Sequence, residues 1–263
     1  MRLAVAATAP FGADVLERLA SRHEIAYVLT RPDRPRGRGR RVGPPPAKEA
    51  AERLELEVRQ PERLEADFDP GEDVMVVAAY GVLIPEPALE RALWLNVHPS
   101  LLPRWRGAAP IERALMAGDG ETGVTIHRTT AELDAGPIAA QRAFPIGEDD
   151  DFGSVSAQAA ELAAQLLDEV LPEPRFTPQP AEGVTYAEKI GPADRELDWS
   201  GPPEELLNQI RALSPHIGAR AELRGRPVTI WRARIEDRKL VPVEVQPDGR
   251  RRMSYDEFLR GLR

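Results

Sequence analysis

The chain has 263 residues, 42% of them hydrophobic, with 43 acidic against 35 basic side chains and a net charge of −8. That suits one large domain, or a main domain with a smaller appendage, around a real core. Cysteine is absent, which excludes disulfides and thiolate metal sites and suits a reducing compartment. No run approaches the ~18 apolar residues of a membrane span, and MRLAVAATAPFG is too short for a secretory core, so a soluble, cytoplasmic protein is expected. The acidic average argues against a nucleic-acid coat, although an average can hide a local basic patch.

In chain order, RLAVAAT predicts a short strand, and ADVLERLASR follows with Val15, Leu16 and Leu19 at helical spacing. EIAYVLT predicts a second strand and PAKEAAERL a helix. Between them lies RPDRPRGRGRR, Arg31 to Arg41, whose six arginines and one aspartate carry a local charge of +5. Its glycines and prolines are expected to keep it out of helix and strand. DVMVVAAY and LWLNVH predict two strands, APIERALMAG a helix, and GVTIHRT a strand. Runs that are apolar throughout, such as VMVVAA, suit parallel strands covered on both faces. The alternation of strands with helices predicts an open α/β, Rossmann-like sheet, mostly parallel, with right-handed crossovers.

GSVSAQAAELAAQLLDEVL, with Val155, Ala159, Leu162, Leu166 and Val170 on one face, predicts a long closing helix. Proline-rich LPEPRFTPQPAEG follows it. The tail from about Leu206 predicts a helix, short strands in ARAELRG, PVTIWRAR and KLVPVEV, and a last helix in YDEFLRGL. The domain boundaries expected are 1–182 for the main domain, 183–203 for a linker and 204–263 for a small β-rich domain.

In an open α/β sheet, ligands bind beyond the carboxyl ends of the strands. LWLNVH ends there in Asn96 and His98, which apolar packing does not call for. The G-x-G-x-x-G of a dinucleotide site is missing, since ATAPFG follows the first strand. In LDAG, Asp134 stands in a glycine-bearing turn. An amide, an imidazole and a carboxylate suit acyl transfer to an amine: the first two can hold an oxyanion, and the third can favour the charged imidazole. Taken singly, each has a plainer part to play, Asn96 as a cap, His98 as a surface histidine and Asp134 as an Asx-turn. His127 reads as strand scaffolding whose nearness to Asp134 in sequence leaves room for a supporting role.

NVHPSLLPRWRGAAPI and GVTIHRTTAELDAGPI resemble the signature regions of the folate-dependent formyltransferases, and most closely of the branch that acts on methionyl-tRNA. TRPDRPRGRGRR, VAAYGVLIP and VTYAEKI agree, so the resemblance runs from about residue 2 to residue 235. It implies that Asn96, His98 and Asp134 are catalytic and that Ser100, Leu101, Leu102 and Pro103 lie against the folate. It implies further that Arg34, Arg36, Arg38, Arg40 and Arg41, with Arg38 foremost, meet the acceptor end of the tRNA. The implied reaction moves a formyl group from 10-formyltetrahydrofolate to the α-amine of methionyl-initiator tRNA, for translation initiation, in a monomer that needs no metal. Two departures stand out: Ala7-Thr8-Ala9-Pro10 replaces the family's Gly-Thr-Pro turn, and the C-terminal barrel lacks its middle strands, leaving a reduced OB-like barrel. Two alternatives are an amino-sugar nucleotide N-formyltransferase, which a shortened tail suits and the arginine run does not, and a non-catalytic folate- or tRNA-binding relative.

Overall fold

In the computed structural model the described residues are 1–36 and 41–262, with Arg36 and Arg41 described by their backbone alone. Arg38 and Arg40 therefore lie outside the described residues. The elements follow in chain order. They begin β1 (Arg2–Ala7), α1 (Pro10–Ala20), β2 (Glu24–Leu29), β3 (Arg34–Arg36), β4 (Arg41–Gly43), α2 (Pro46–Arg53), β5 (Val58–Arg59), β6 (Val74–Ala78), α3 (Glu86–Leu89) and β7 (Leu93–His98). Next come β8 (Arg106–Gly107), α4 (Pro110–Met116), β9 (Glu121–Arg128), β10 (Ile138–Pro145), α5 (Phe152–Val170) and β11 (Tyr186–Ala187). The chain ends with α6 (Pro203–Leu213), β12 (Ala219–Leu223), β13 (Arg226–Glu236), β14 (Lys239–Pro247), β15 (Met253–Ser254) and α7 (Tyr255–Arg260). Among the described residues no helix is long and apolar enough to cross a membrane.

The chain forms two compact units. The first comprises 1–106, 123–143 and 157–185, and the second 107–122, 144–156 and 186–263. The first unit is built on a seven-stranded sheet in the order β10-β9-β7-β6-β1-β2-β5. β1 pairs in parallel with β2 and β6, and β6 with β7, whereas β7 meets β9 antiparallel. The mostly parallel sheet expected from the apolar runs is present, and Leu3 to Ala7 of β1 are wholly buried. Gly12 shows how closely α1 packs on it. A Cβ there would lie 2.2 Å from the Ala78 carbonyl oxygen, closer than any side-chain carbon can approach.

The arginine run differs from expectation. Arg34–Arg36 and Arg41–Gly43 pair as a short antiparallel ribbon, with Pro35 opposite Val42. A two-stranded ribbon leaves alternate N–H groups unpaired, which gives proline a place that a central strand would deny it.

The second unit holds the four-stranded antiparallel sheet β12-β13-β14-β15, the β-rich tail expected from the sequence. Leu206, Ile210 and Leu213 of α6 pack with Val228, Ile230 and Val245 of the sheet and Phe258 of α7. Ile111 and Leu115 of α4 pack with Val155 and Ala212 in the same unit. Arg113 holds Asp194 through two contacts of 2.7 and 3.1 Å. Those hydrogen bonds, with one from the Gly191 amide, keep the Asp194 carboxyl below the usual carboxylate range.

Candidate active site

Asn96 and His98 lie two residues apart on β7, so both side chains leave the same face of the sheet. Their neighbours Leu95 and Val97 are buried, which fixes the strand's register and with it the direction of the polar pair. Across the antiparallel pairing Asn96 stands opposite His127 and His98 opposite Thr125.

The carboxylate arrives from the loop after β9. Asp134 has a φ of +47°, a left-handed conformation that aspartate tolerates better than most residues. Two residues on, Gly136 passes so near β9 that a Cβ would lie 1.8 Å from the Arg128 carbonyl oxygen. The loop is held from behind by Gln179, whose amide nitrogen donates to the carbonyl oxygens of Asp134 at 2.7 Å and Gly136 at 2.9 Å. The Gln179 oxygen in turn accepts from Arg106 at 2.8 and 3.2 Å. Beside this clamp is a cavity of about 500 Å³ walled by Arg106, Glu132, Ala135, Pro137, Gln179 and Val184.

The three groups expected from the sequence come together. The Asn96 amide nitrogen is 3.2 Å from Asp134 Oδ1, and His98 Nδ1 is 3.7 Å from Asp134 Oδ2. His98 is buried, and its Nε2 lies 2.7 Å from the Trp105 carbonyl oxygen. A carbonyl only accepts, so Nε2 carries the hydrogen and neutral His98 turns a lone pair at Nδ1 toward the carboxylate. Burial holds the imidazole below its ordinary range, opposed by the Asp134 charge and by the bond to Trp105.

The SLLP loop is tied down from inside. Ser100 is fully buried and donates to the Arg104 carbonyl oxygen at 2.7 Å. Leu102, buried and joined to Pro103 by a cis peptide, donates through its amide to Thr125 Oγ1 at 3.1 Å. Leu101 and Pro103 are half-buried. Arg34 is exposed on β3, while Arg36 and Arg41 are placed by backbone only.

Sequence reasoning passed over Gln179 and gave His127 only a scaffold's part, yet His127 Nε2 lies 3.0 Å from the Asn96 amide nitrogen. Its position opposite Asn96 follows once the pairing of β7 with β9 is known. For Gln179 no local signal exists, because it lies in the proline-rich run 45 residues beyond Asp134. Removing its two donors with Gln179→Leu is expected to lower turnover about tenfold, roughly one hydrogen-bonded orientation's worth. The comparison is kcat at saturating substrates, and an unchanged kcat would mean that the LDAG loop holds itself.

Residues 1–171 match the formyl transferase family, and residues 189–241 match the formyl transferase C-terminal domain. A methionyl-tRNA formyltransferase of Paracoccus denitrificans is 42% identical over 292 residues, covering 100% of this chain and 98% of the relative. That alignment is longer than this chain, so the chain omits stretches that the relative has. Among solved structures, a methionyl-tRNA formyltransferase from Clostridium thermocellum has the same fold at 15% identity, with a TM-score of 0.65 over 94% of this chain and 98% of that one. HypX from Aquifex aeolicus, solved with tetrahydrofolic acid, shares the fold at 17% identity and a TM-score of 0.62, over 98% of this chain and 46% of that one. With its two halves matched in order and its whole length aligned at 42% identity, this chain belongs to the formyl transferase family, in the methionyl-tRNA formyltransferase branch.

Proposed function

We infer that this protein transfers the formyl group of 10-formyltetrahydrofolate to the α-amine of methionyl-initiator tRNA. The observation that carries this is the convergence of Asn96 Nδ2 and His98 Nδ1 on the Asp134 carboxylate, at 3.2 and 3.7 Å, at the end of β7. The donor set fits a formyl carbonyl under attack by an amine: a neutral amide that can donate to an oxyanion, and a base that can take up a proton. When bound, the folate supplies an activated formyl carbonyl, and no metal is required of the chain.

Everything else is the work of the protein's own side chains. In this reading the Asn96 N–H donates to the formyl oxygen as negative charge develops on it. His98 Nδ1 takes the proton that the amine nitrogen sheds as it gains the formyl carbon, and returns it as the folate nitrogen leaves. Once protonated, His98 faces Asp134 as an ion pair instead of as lone pair against carboxylate, which favours proton uptake at that atom. In this reading Leu101 and Pro103 are the members of the SLLP loop that meet the folate, and buried Ser100 and Leu102 support them. The arginines from Arg34 to Arg41 meet tRNA phosphates and unpaired bases. The protein works as a cytoplasmic monomer at the start of translation.

The test supplies purified protein with 10-formyltetrahydrofolate and either methionyl-initiator tRNA or an amino-sugar nucleotide. Formylated methionyl-tRNA is expected, and a formylated sugar in its place would move the chain to the sugar branch. Arg38→Ala is expected to raise KM for the tRNA about tenfold with KM for folate unchanged. Losing one phosphate contact should also flatten the salt dependence of tRNA binding by about 0.7 to 0.9 log units. If neither changes, the arginine run is not the tRNA contact.

A further inference from the structure

His127 is buried in β9, its side chain only 2% exposed, and the reaction as described does not use it. For a neutral ring its hydrogen-bond distances fit one arrangement of protons, with Nε2 also 3.6 Å from Asp134 Oδ1. The Asn96 amide nitrogen lies 3.2 Å from Asp134 Oδ1 and 3.0 Å from His127 Nε2. Rotating the amide by half a turn would set its oxygen against a carboxylate oxygen, two acceptors facing each other, so the nitrogen belongs on that side. His127 Nδ1 lies 3.1 Å from the Arg128 carbonyl oxygen, which can only accept, so Nδ1 carries the ring hydrogen. A neutral imidazole has one N–H. His127 Nε2 is therefore a bare acceptor, and it receives one of the two Asn96 amide hydrogens while Asp134 receives the other.

That division has a chemical consequence. An oxyanion stabilised by Asn96 must draw on the hydrogen aimed at Asp134, because the other is committed inside the sheet. Losing the Asp134 contact during that exchange would free the amide to rotate and offer its oxygen to the negative charge. The second bond, to His127, prevents this.

We propose that His127 is a positioning residue for formyl transfer, holding the Asn96 amide so that its nitrogen faces the reacting formyl oxygen. The proposal rests on Asn96 serving as the oxyanion donor. His127 touches neither substrate in this scheme and acts through Asn96 alone.

The experiment measures kcat and both KM values for His127→Leu and His127→Gln, each alone and combined with Asn96→Ala, with melting temperatures for all variants. Leucine keeps the site filled and removes the acceptor, and glutamine returns an acceptor oxygen at comparable reach. His127→Leu is expected to lower kcat about tenfold with both KM values within about twofold, and His127→Gln to recover most of the loss. In the Asn96→Ala background His127→Leu should cost nothing further, since the group it positions is gone. If His127→Leu leaves kcat unchanged, if glutamine fails to restore it while melting normally, or if the two losses multiply, His127 does not act through Asn96 and the proposal falls. If Asn96→Ala itself turns over normally, the assignment of Asn96 falls first, and the proposal with it.

Discussion

Alanine at Asn96 is expected to lower turnover on the order of 100- to 1000-fold, the range found when one preorganised donor to an oxyanion is removed, and alanine at His98 by a comparable factor, the range for loss of a general base. The two variants should differ in stability. Asn96 is partly exposed, and its loss removes one contact each from His127 and Asp134. His98 is 4% exposed and donates to the Trp105 carbonyl, so His98→Ala opens a small void and removes a buried hydrogen bond, at roughly 1 to 3 kcal/mol. Melting curves would then show the His98 variant several degrees lower, with both still folded at assay temperature.

The wild-type pH profile carries the same signature. Burial favours neutral His98, so its folded-state pKa lies below the unfolded value. The base is therefore ready at neutral pH. Activity should fall only on acidification, along a limb below the ordinary imidazole range, and the stability held by keeping His98 neutral is lost over the same descent. Near-normal kcat in both variants would remove Asn96 and His98 from the chemistry.

Gly136→Ala is expected to be as damaging by a different route. The added Cβ would lie 1.8 Å from the Arg128 carbonyl oxygen, 3.0 Å from its carbon and 3.1 Å from Thr130 Cγ2. The obstacle is backbone, and that backbone is itself fixed, because the Arg128 amide donates to the Pro137 carbonyl at 3.0 Å. Gln179 grips the loop on the other side through the Asp134 and Gly136 carbonyls. Relief must come from moving the LDAG loop, which carries Asp134 away from Asn96 and His98. Turnover should fall at least about 100-fold, as for misplacement of a catalytic group by around 1 Å, together with a loss of several kcal/mol in stability. Chemical denaturation and kcat on the same preparation would decide it. A variant that is stable and active would show that the loop has room the structure does not reveal.

Asn96 and His98 were readable as a candidate pair because two polar residues closed a strand whose other positions are apolar. Asp134 was readable from its glycine-bearing turn, and the strand-end rule for α/β sheets said where to look. The supports were not. His127 looks like any alternating strand residue until β9 is known to run antiparallel beside β7. Gln179 acts from a proline-rich stretch with no periodicity to read. β10 escaped because its residues are half-buried or exposed along its whole length, so neither an apolar run nor a clean alternation marks it. In the arginine run, glycine and proline were taken to exclude strand, but a two-stranded ribbon asks less of each residue than a central strand does.

The interleaving of the two units sets an order on how the chain can be made. Ile111 and Leu115 of α4 find their packing partner Ala212 on α6, roughly 100 residues later in a chain synthesised at about 5 to 20 residues per second. At that rate about 5 to 20 seconds separate the synthesis of α4 from that of the α6 residue it packs against. The first unit's last stretch, 157–185, is by then already complete. The second unit cannot finish folding until its last stretch, 186–263, has been translated.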